Sequence, residues 1–544
     1  MPLLSFSLRL PHLYVDHDSG SESSESSRWN NKDLEPVPPN DRKWGLTALI
    51  CYWISDAFNA SSWQFAASMI AIGFTWRECF GVVALAFTLI SIPIAMNGAM
   101  GGRPFPVLAR ASFGFRGSYL PILTRAILGL VWFAIQVTNG ANAVRVMIGA
   151  IWPSFLSMEN NIPENQGIAS NTMIAFLIFW LAHIPFLYMH PNKALWLFIV
   201  KSVIVPVTWV AILIWALAST GGGDIWKQKS TLAGSDYGWA FISCLTSVIG
   251  NSSAACVNQA DFSRYSRINP KWQILYIPML PTVFVFIAFI GVATASAGQI
   301  KYGVTEWDPT ALIALWDSRA ARFFGGFSFA LATLGVNISA NSISAANDLA
   351  ALAPKYIDIR RGQLIVAVCA WAIIPWKILE SATTFLNFMQ AYCIFIGPIA
   401  AIIVMDFFVV HKGKYSSPDL YNPDGIYKYR YDVNWRSFVA FFVAITPVMP
   451  GFINSINSQI DVGLGVYPYK FAWLLGFVGA SGVYIALSLI FKAHGTFIDL
   501  PVLPQSREVT TDVIIINGQE MVTPDTEANI DKRDVALTAP CEKN

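Results

Sequence analysis

The chain has 544 residues, of which 54% are apolar, 14% aromatic and 13% charged, with a mean hydropathy of +0.49. Soluble domains carry roughly 25% charged residues, so this composition excludes one and points to a polytopic membrane protein. A formal net charge of +2 is too small to draw the chain to nucleic acid or to an acidic partner.

Residues 1–43 are polar, carry an acidic serine run from Ser19 to Ser27, and lack the apolar core of a signal peptide. They read as a disordered cytoplasmic N-terminal tail. Residues 493–544 read as a second cytoplasmic tail despite a short Val513-Ile514-Ile515-Ile516 patch, and Lys532 and Lys543 there are open to ubiquitylation. The seven cysteines form no spaced framework: Cys51, Cys79, Cys244, Cys256, Cys369 and Cys393 fall in apolar runs and Cys541 in the tail. They read as small hydrophobes, with neither disulfide nor metal implied.

Between the tails, 44–492 form the membrane domain. A spanning helix needs roughly 20 mainly apolar residues. On that template the chain predicts twelve spans: Trp44 to Gly73, Cys79 to Met100, Leu120 to Ile151, Met173 to Met189, Leu195 to Ala218, Trp239 to Val257, Ile274 to Ala297, Phe324 to Leu352, Gln363 to Leu379, Thr383 to Val410, Arg436 to Ile456 and Phe471 to Phe491. Basic residues gather in alternate loops, as in Arg103, Arg110 and Arg116, then Lys193, then Arg264, Arg267 and Lys271. The positive-inside rule therefore puts both tails in the cytoplasm.

Several spans are too polar for plain lipid contact. The first holds Ser55, Asp56, Asn59, Ser61, Ser62, Trp63 and Gln64, and the sixth holds Asn251-Ser252-Ser253. Polar groups survive at such depth where they line a cavity or are buried in protein. Spans one and six are also five apart, the spacing of an inverted repeat whose leading helices are broken near the midplane. In span three, Trp132 and Gln136 share a face at i and i+4. A flat indole beside a two-way amide suits a small planar solute with N–H and C=O edges. Ordinary packing, with Trp as bulk and Gln as interhelical glue, accounts for the same pair equally well.

Span eight repeats the pattern with Asn337 and Asn341, and small residues between them also fit a packing seam. Lys201 opens the fifth apolar run, either as a lysine snorkelling to the membrane edge or as a cation inside the bundle. Glu380 and Asp406 sit near segment ends and read as interfacial. No metal cluster, nucleophile with its base, or phosphate loop is evident, which argues against an enzyme.

These residues resemble the nucleobase-cation-symport-1 family, and within it the fungal uracil and allantoin permease branch. The resemblance runs from about Trp44 to Phe491. It rests on Asn337-Ile338-Ser339-Ala340-Asn341-Ser342, Asp261-Phe262-Ser263-Arg264, Pro375-Trp376 and Asp406-Phe407-Phe408-Val409-Val410, with Ala111-Ser112-Phe113-Gly114 and Val433-Asn434-Trp435-Arg436 in support. It implies an all-α leucine-transporter-type fold, five plus five inverted helices and two peripheral ones. It also implies a ligand ring held by Trp132, Gln136 and Asn341, with Phe385 and Met389 of span ten as an outer gate. Where a bacterial relative has a second stacking Trp, this chain places Asn251 or Ser252, so the opposite wall falls to Trp63 or Phe385. Asn59 is a further substrate-binding candidate.

Sodium-coupled relatives hold their ion with hydroxyls at positions that here resemble Gly335 and Val336, which offer no side-chain oxygen. Hard cations want oxygen ligands, so the resemblance favours protons over sodium, with Lys201 as the coupling candidate. The expected activity is proton symport of uracil, allantoin or uric acid across the plasma membrane, without an organic cofactor. A nucleoside or thiamine-type vitamin transporter, or a nutrient receptor that does not transport, are the alternatives.

Overall fold

The computed structural model describes Val15 and residues 28–188, 195–221, 224–502, 511–516 and 519–524. The serine run from Ser19 to Ser27, Lys193, Lys532, Cys541 and Lys543 lie outside the described residues.

An apolar segment in hydrocarbon must satisfy its own backbone, and a helix does so. The first predicted span is two helices, α1 (Leu46–Ala57) and α2 (Ala60–Ala71), and the second is α3 (Trp76–Ala99). A short α4 (Phe105–Phe113) precedes the third span, α5 (Tyr119–Ile151), which is followed by α6 (Ser170–Tyr188) and α7 (Leu195–Ser219). Span six is α8 (Gly234–Ser253) continued by α9 (Ala255–Ser263). Span seven is α10 (Tyr276–Tyr302), with α11 (Pro309–Ala314) in the following loop. Span eight is α12 (Arg319–Val336), a π-helix (Asn337–Ile343) and α13 (Ser344–Leu352). Then come α14 (Ile359–Cys369), and span ten as α15 (Ala382–Ala391), α16 (Cys393–Met405) and a second π-helical turn (Asp406–Val410). The last two spans are α17 (Trp435–Ile445) with α18 (Met449–Ile456), and α19 (Val466–Lys470) leading into α20 (Ala472–Ile490). A backbone hairpin of β1 (Thr511–Ile516) and β2 (Gln519–Pro524) follows in the C-terminal tail.

Among the described residues, ten helical stretches are long and apolar enough to cross a membrane, fewer than the twelve predicted. The first span falls short because it is broken. Asn59 is extended (φ −137°, ψ 158°) and caps α2, its side chain accepting from Ser62 N at 3.0 Å and donating to Asp56 O at 2.5 Å. The ninth falls short because helix stops at Cys369 and gives way to 3₁₀ turns around Pro375. A residue before proline is biased away from the right-handed helical region, and Ile374 sits at φ +52°, ψ +54°. Span six is also interrupted: α8 stops at Ser253, the Ala254 N–H bonds Ser252 O instead of the carbonyl four residues back, and Gly250 O is taken up by Ser253 Oγ at 3.1 Å.

The order of packing reflects the repeat. α3 lies along α10 and α5 along α12, which pairs span two with seven and three with eight, each five apart. α16 and α17 pack on α20, which places the last two spans outside the repeats, against span ten.

The tails do not simply leave the bundle. Residues 28–41 are tied to three loops by Asn31 Nδ2 donating to Ile357 O (3.0 Å), Arg264 Nη1 to Asp33 O (2.9 Å) and Tyr421 Oη to Leu34 O (3.0 Å). After α20, Thr496 Oγ1 meets His411 Nε2 at 3.0 Å. Asp406, expected at the interface, is instead fully buried, because two tyrosine hydroxyls and His411 turn toward its carboxylate.

Candidate functional site

α5 presents Trp132 and Gln136 on its inward face, both buried. The indole is met edge-on by Phe388 (centroids 5.7 Å, 67°) and Tyr392 (6.3 Å, 80°), both from span ten. Gln136 Nε2 donates to Ser61 Oγ of α2 at 3.2 Å, while Gln136 Oε1 is buried without a partner. With the amide turned over, Ser61 donates and the free end becomes an N–H. Either way one polar group is left facing inward, and leaving it unpaired costs about 1–3 kcal/mol.

Span eight delivers its amide through a chain of bonds. Asn341 Nδ2 donates to Asn337 Oδ1 at 3.0 Å, and Asn337 Nδ2 donates to Phe133 O of α5 at 3.2 Å and meets His183 Nε2 at 3.1 Å. His183 Nδ1 faces Phe179 O at 2.9 Å, so the carbonyl fixes the proton there and Nε2 accepts. Asn341 is thereby tied through Asn337 to the backbone of Phe133, and it is partly exposed in mid-span with Oδ1 taking no hydrogen bond from the described residues. The widened π turn that carries it was not evident from the sequence. Ser339 Oγ bonds Gly335 O (3.1 Å) and Ser342 Oγ bonds Ile338 O (2.9 Å), hydroxyls that take up helix carbonyls as such a turn requires.

The remaining candidates fall into three groups. Asn251 is partly exposed and Ser252 buried, joined by Asn251 Nδ2 to Ser252 Oγ at 3.3 Å, next to Gly250 O, which accepts from Tyr392 Oη. Asn59 spends its side chain on the helix break. Phe385 and Met389 are fully buried, with Phe385 stacked on Trp307 of the loop before α11 (5.7 Å, 25°). A Cβ on Gly250 would sit 2.1 Å from Met389 O, so α8 and α15 touch backbone to backbone. Trp63 is not near Trp132. It packs edge-on against Trp209 (5.2 Å) and Phe329 (5.3 Å) on another face of α2.

Lys201 is fully buried, its Nζ donating to Ser55 O at the end of α1. It also lies within electrostatic reach of Asp56. Gly335 makes room for it, since a Cβ there would lie 2.6 Å from Lys201 Cδ. The ammonium thus sits between the broken first span and span eight, the place the sequence left without hydroxyl ligands.

The sequence pattern of a permease family for cytosine/purines, uracil, thiamine and allantoin matches residues 36–476. The chain belongs to this nucleobase-cation-symport-1 family. It is 35% identical over 520 residues to an uncharacterized permease of Schizosaccharomyces pombe, covering 94% of this chain and 91% of that one. The allantoin and uracil permeases of Saccharomyces cerevisiae are 33% and 32% identical, each over 89% of this chain and 79% and 80% of their own. The fold is similar to that of Mhp1, a transporter of the same family solved in a closed conformation with bromovinylhydantoin, with a TM-score of 0.69 at 21% identity, covering 86% of this chain and 97% of that one. The expected leucine-transporter-type architecture is thus present, and the protein is a membrane transporter, not an enzyme.

Reading the permease from sequence alone missed Ser61, Asn139, His183, Phe388 and Tyr392. Phe388 and Tyr392 were one turn apart and adjacent to the flagged Met389, but a helix seen without its neighbours does not say which face meets Trp132. Asn139 continues the Trp132–Gln136 stripe by three residues, and that periodicity was the available signal.

Proposed function

We propose that this permease takes up a small planar nucleobase-like solute, uracil, allantoin or uric acid, in symport with protons by alternating access. The observation that carries the reading is two amide groups each with one end open, Gln136 one turn from the Trp132 indole and Asn341 of span eight. Asn341 Oδ1 accepts from a ring N–H, the open end of Gln136 pairs with an N–H or a C=O, and the indole covers the ring. Trp132 stacks, Gln136 and Asn341 read the edge, and Asn251 and Ser252 supply polar contact from span six. Asn59 holds the break open, and Phe385 and Met389 gate the side they now close. Relatives named as uracil and allantoin permeases support this class of cargo.

Lys201 supports proton rather than sodium coupling, because a tethered ammonium occupies the space a hard cation would need. The tails face the cytoplasm of a cell whose plasma membrane holds the bundle, within reach of ubiquitylation at Lys532 and Lys543. The test is uptake of radiolabelled uracil in cells, competed by allantoin, uric acid, uridine, cytosine and thiamine. Competition by uracil, allantoin or uric acid, with accumulation lost on adding a protonophore and in Lys201→Ala, supports the reading. Preference for uridine or thiamine, binding without accumulation, or dependence on external sodium would overturn the corresponding part.

A further inference from the structure

The polar contacts between α2 and α5 step along both helices by three residues, in the same direction. Ser61 meets Gln136, and one turn on Gln64 meets Asn139. The second contact is reciprocal: Gln64 Nε2 donates to Asn139 Oδ1 at 2.8 Å, and Asn139 Nδ2 donates back to Gln64 Oε1 at 3.2 Å. Both side chains are buried, at 1% and 2% exposure. Two carboxamides closed on each other in this way are satisfied together or exposed together, so the contact has two states rather than a range. Ser61 Oγ links it to the substrate-reading amide, since it faces both Gln136 Nε2 (3.2 Å) and Asn139 Nδ2 (3.5 Å).

The other faces of α2 are joined differently. Trp63 is wedged between Trp209 and Phe329, and its carbonyl lies so close to Gly291 of α10 that a Cβ there would come within 2.9 Å. α2 is therefore packed along α10 and α15, touches α7 and α12 through the Trp63 ring, and meets α5 through exchangeable amides. The pair also lies beyond Gln136 toward the end of α5 whose neighbours Trp307 and Phe385 are stacked shut: Asn142, three residues further on, donates to Asp308 Oδ2 at 3.2 Å, next to Trp307.

We propose that Gln64 and Asn139 form a latch between α2 and α5 that closes the Phe385 side of the permease over bound substrate. They are positioning residues: the substrate bonds Gln136, Gln136 keeps Ser61 in place, and Ser61 with Asn139 sets the latch. The proposal rests on the transport reading above.

Initial rates of radiolabelled uracil uptake in Gln64→Ala, Asn139→Ala and the exchanged double variant Gln64→Asn/Asn139→Gln test it, at matched amounts of tagged protein in the membrane. The single variants should lose about ten-fold in maximal rate while KM stays level or falls, because the open side is favoured and closure is slowed. The exchanged variant keeps both reciprocal bonds and should recover to within about three-fold of the parent. A rise in KM at unchanged maximal rate would make the pair a direct ligand contact, and an exchanged variant no better than the single ones would make it mere packing. Either result overturns the latch. Should the alanine variants not reach the membrane, Asn139→Asp keeps the volume, loses one of the two bonds, and should show the same loss of rate; a parental rate would overturn the latch. If the parent does not take up uracil, the transport reading for that solute fails instead, which separates the two outcomes.

Discussion

Two buried polar clusters in this molecule have opposite characters. Around Asp406, Tyr415 Oη and Tyr484 Oη (2.5 Å) take one carboxylate oxygen each, His411 Nδ1 lies 3.2 Å from Oδ1, and His411 Nε2 is met by Thr496. Around Trp132, by contrast, Gln136 keeps a buried oxygen without a partner and Asn341 keeps another free. An unpaired buried polar group lowers stability, so a fold retains one where something else comes to pair with it. The satisfied cluster is a staple joining span ten to α20 and the segment after it; the unsatisfied one is the site we propose for the solute.

Removing the staple should be the most damaging change. Asp406→Ala strips a buried carboxylate from two hydroxyls and an imidazole, a loss of about 3–5 kcal/mol. Thermal unfolding of the purified protein should register it, together with less protein at the membrane. If stability is parental, the two clusters do not differ in the way described. The site should behave oppositely. Gln136→Ala and Asn341→Ala should each lower uracil uptake about 10- to 100-fold, the equivalent of 1–3 kcal/mol of lost pairing, with stability unchanged or raised. Parental kinetics in both would remove the proposed site.

The smallest effect sharpens the staple. Burial lowers the affinity of His411 for a proton, but the charge and hydrogen bonds of Asp406 outweigh it and hold its pKa above the usual imidazole value. A folded-state pKa that is raised adds stability below the unfolded value of about 6.5 and loses it as pH climbs through the folded value. The excess stability of the parent over His411→Gln should therefore be on the order of 1 kcal/mol in mild acid and shrink toward alkaline pH. An excess that grows with pH would mean that the imidazole is neutral in the fold.

The same contrast explains what the sequence revealed. The break in span one was legible because Asn59 announces a helix cap among polar neighbours, and Trp132, Gln136 and Asn341 were legible as polar or flat groups at helical spacing. Asp406 was misread because one carboxylate near a segment end looks the same whether it faces water or folded-over partners; His411 and Tyr415 follow it closely, but Tyr484 is 78 residues away. The interruption at Asn251-Ser252-Ser253 was legible as the break in span one was, since a hydroxyl there draws off a helix carbonyl and α8 stops at Ser253. The shortness of the ninth helix was not legible because hydropathy does not register that the segment turns to 3₁₀ after Cys369, ahead of Pro375.

Gly335 has a consequence beyond packing. Because the lysine methylene chain occupies the volume where any larger residue would begin, a methyl at 335 would come within 2.6 Å of Lys201 Cδ, and the lysine arm would have to take another path to Ser55.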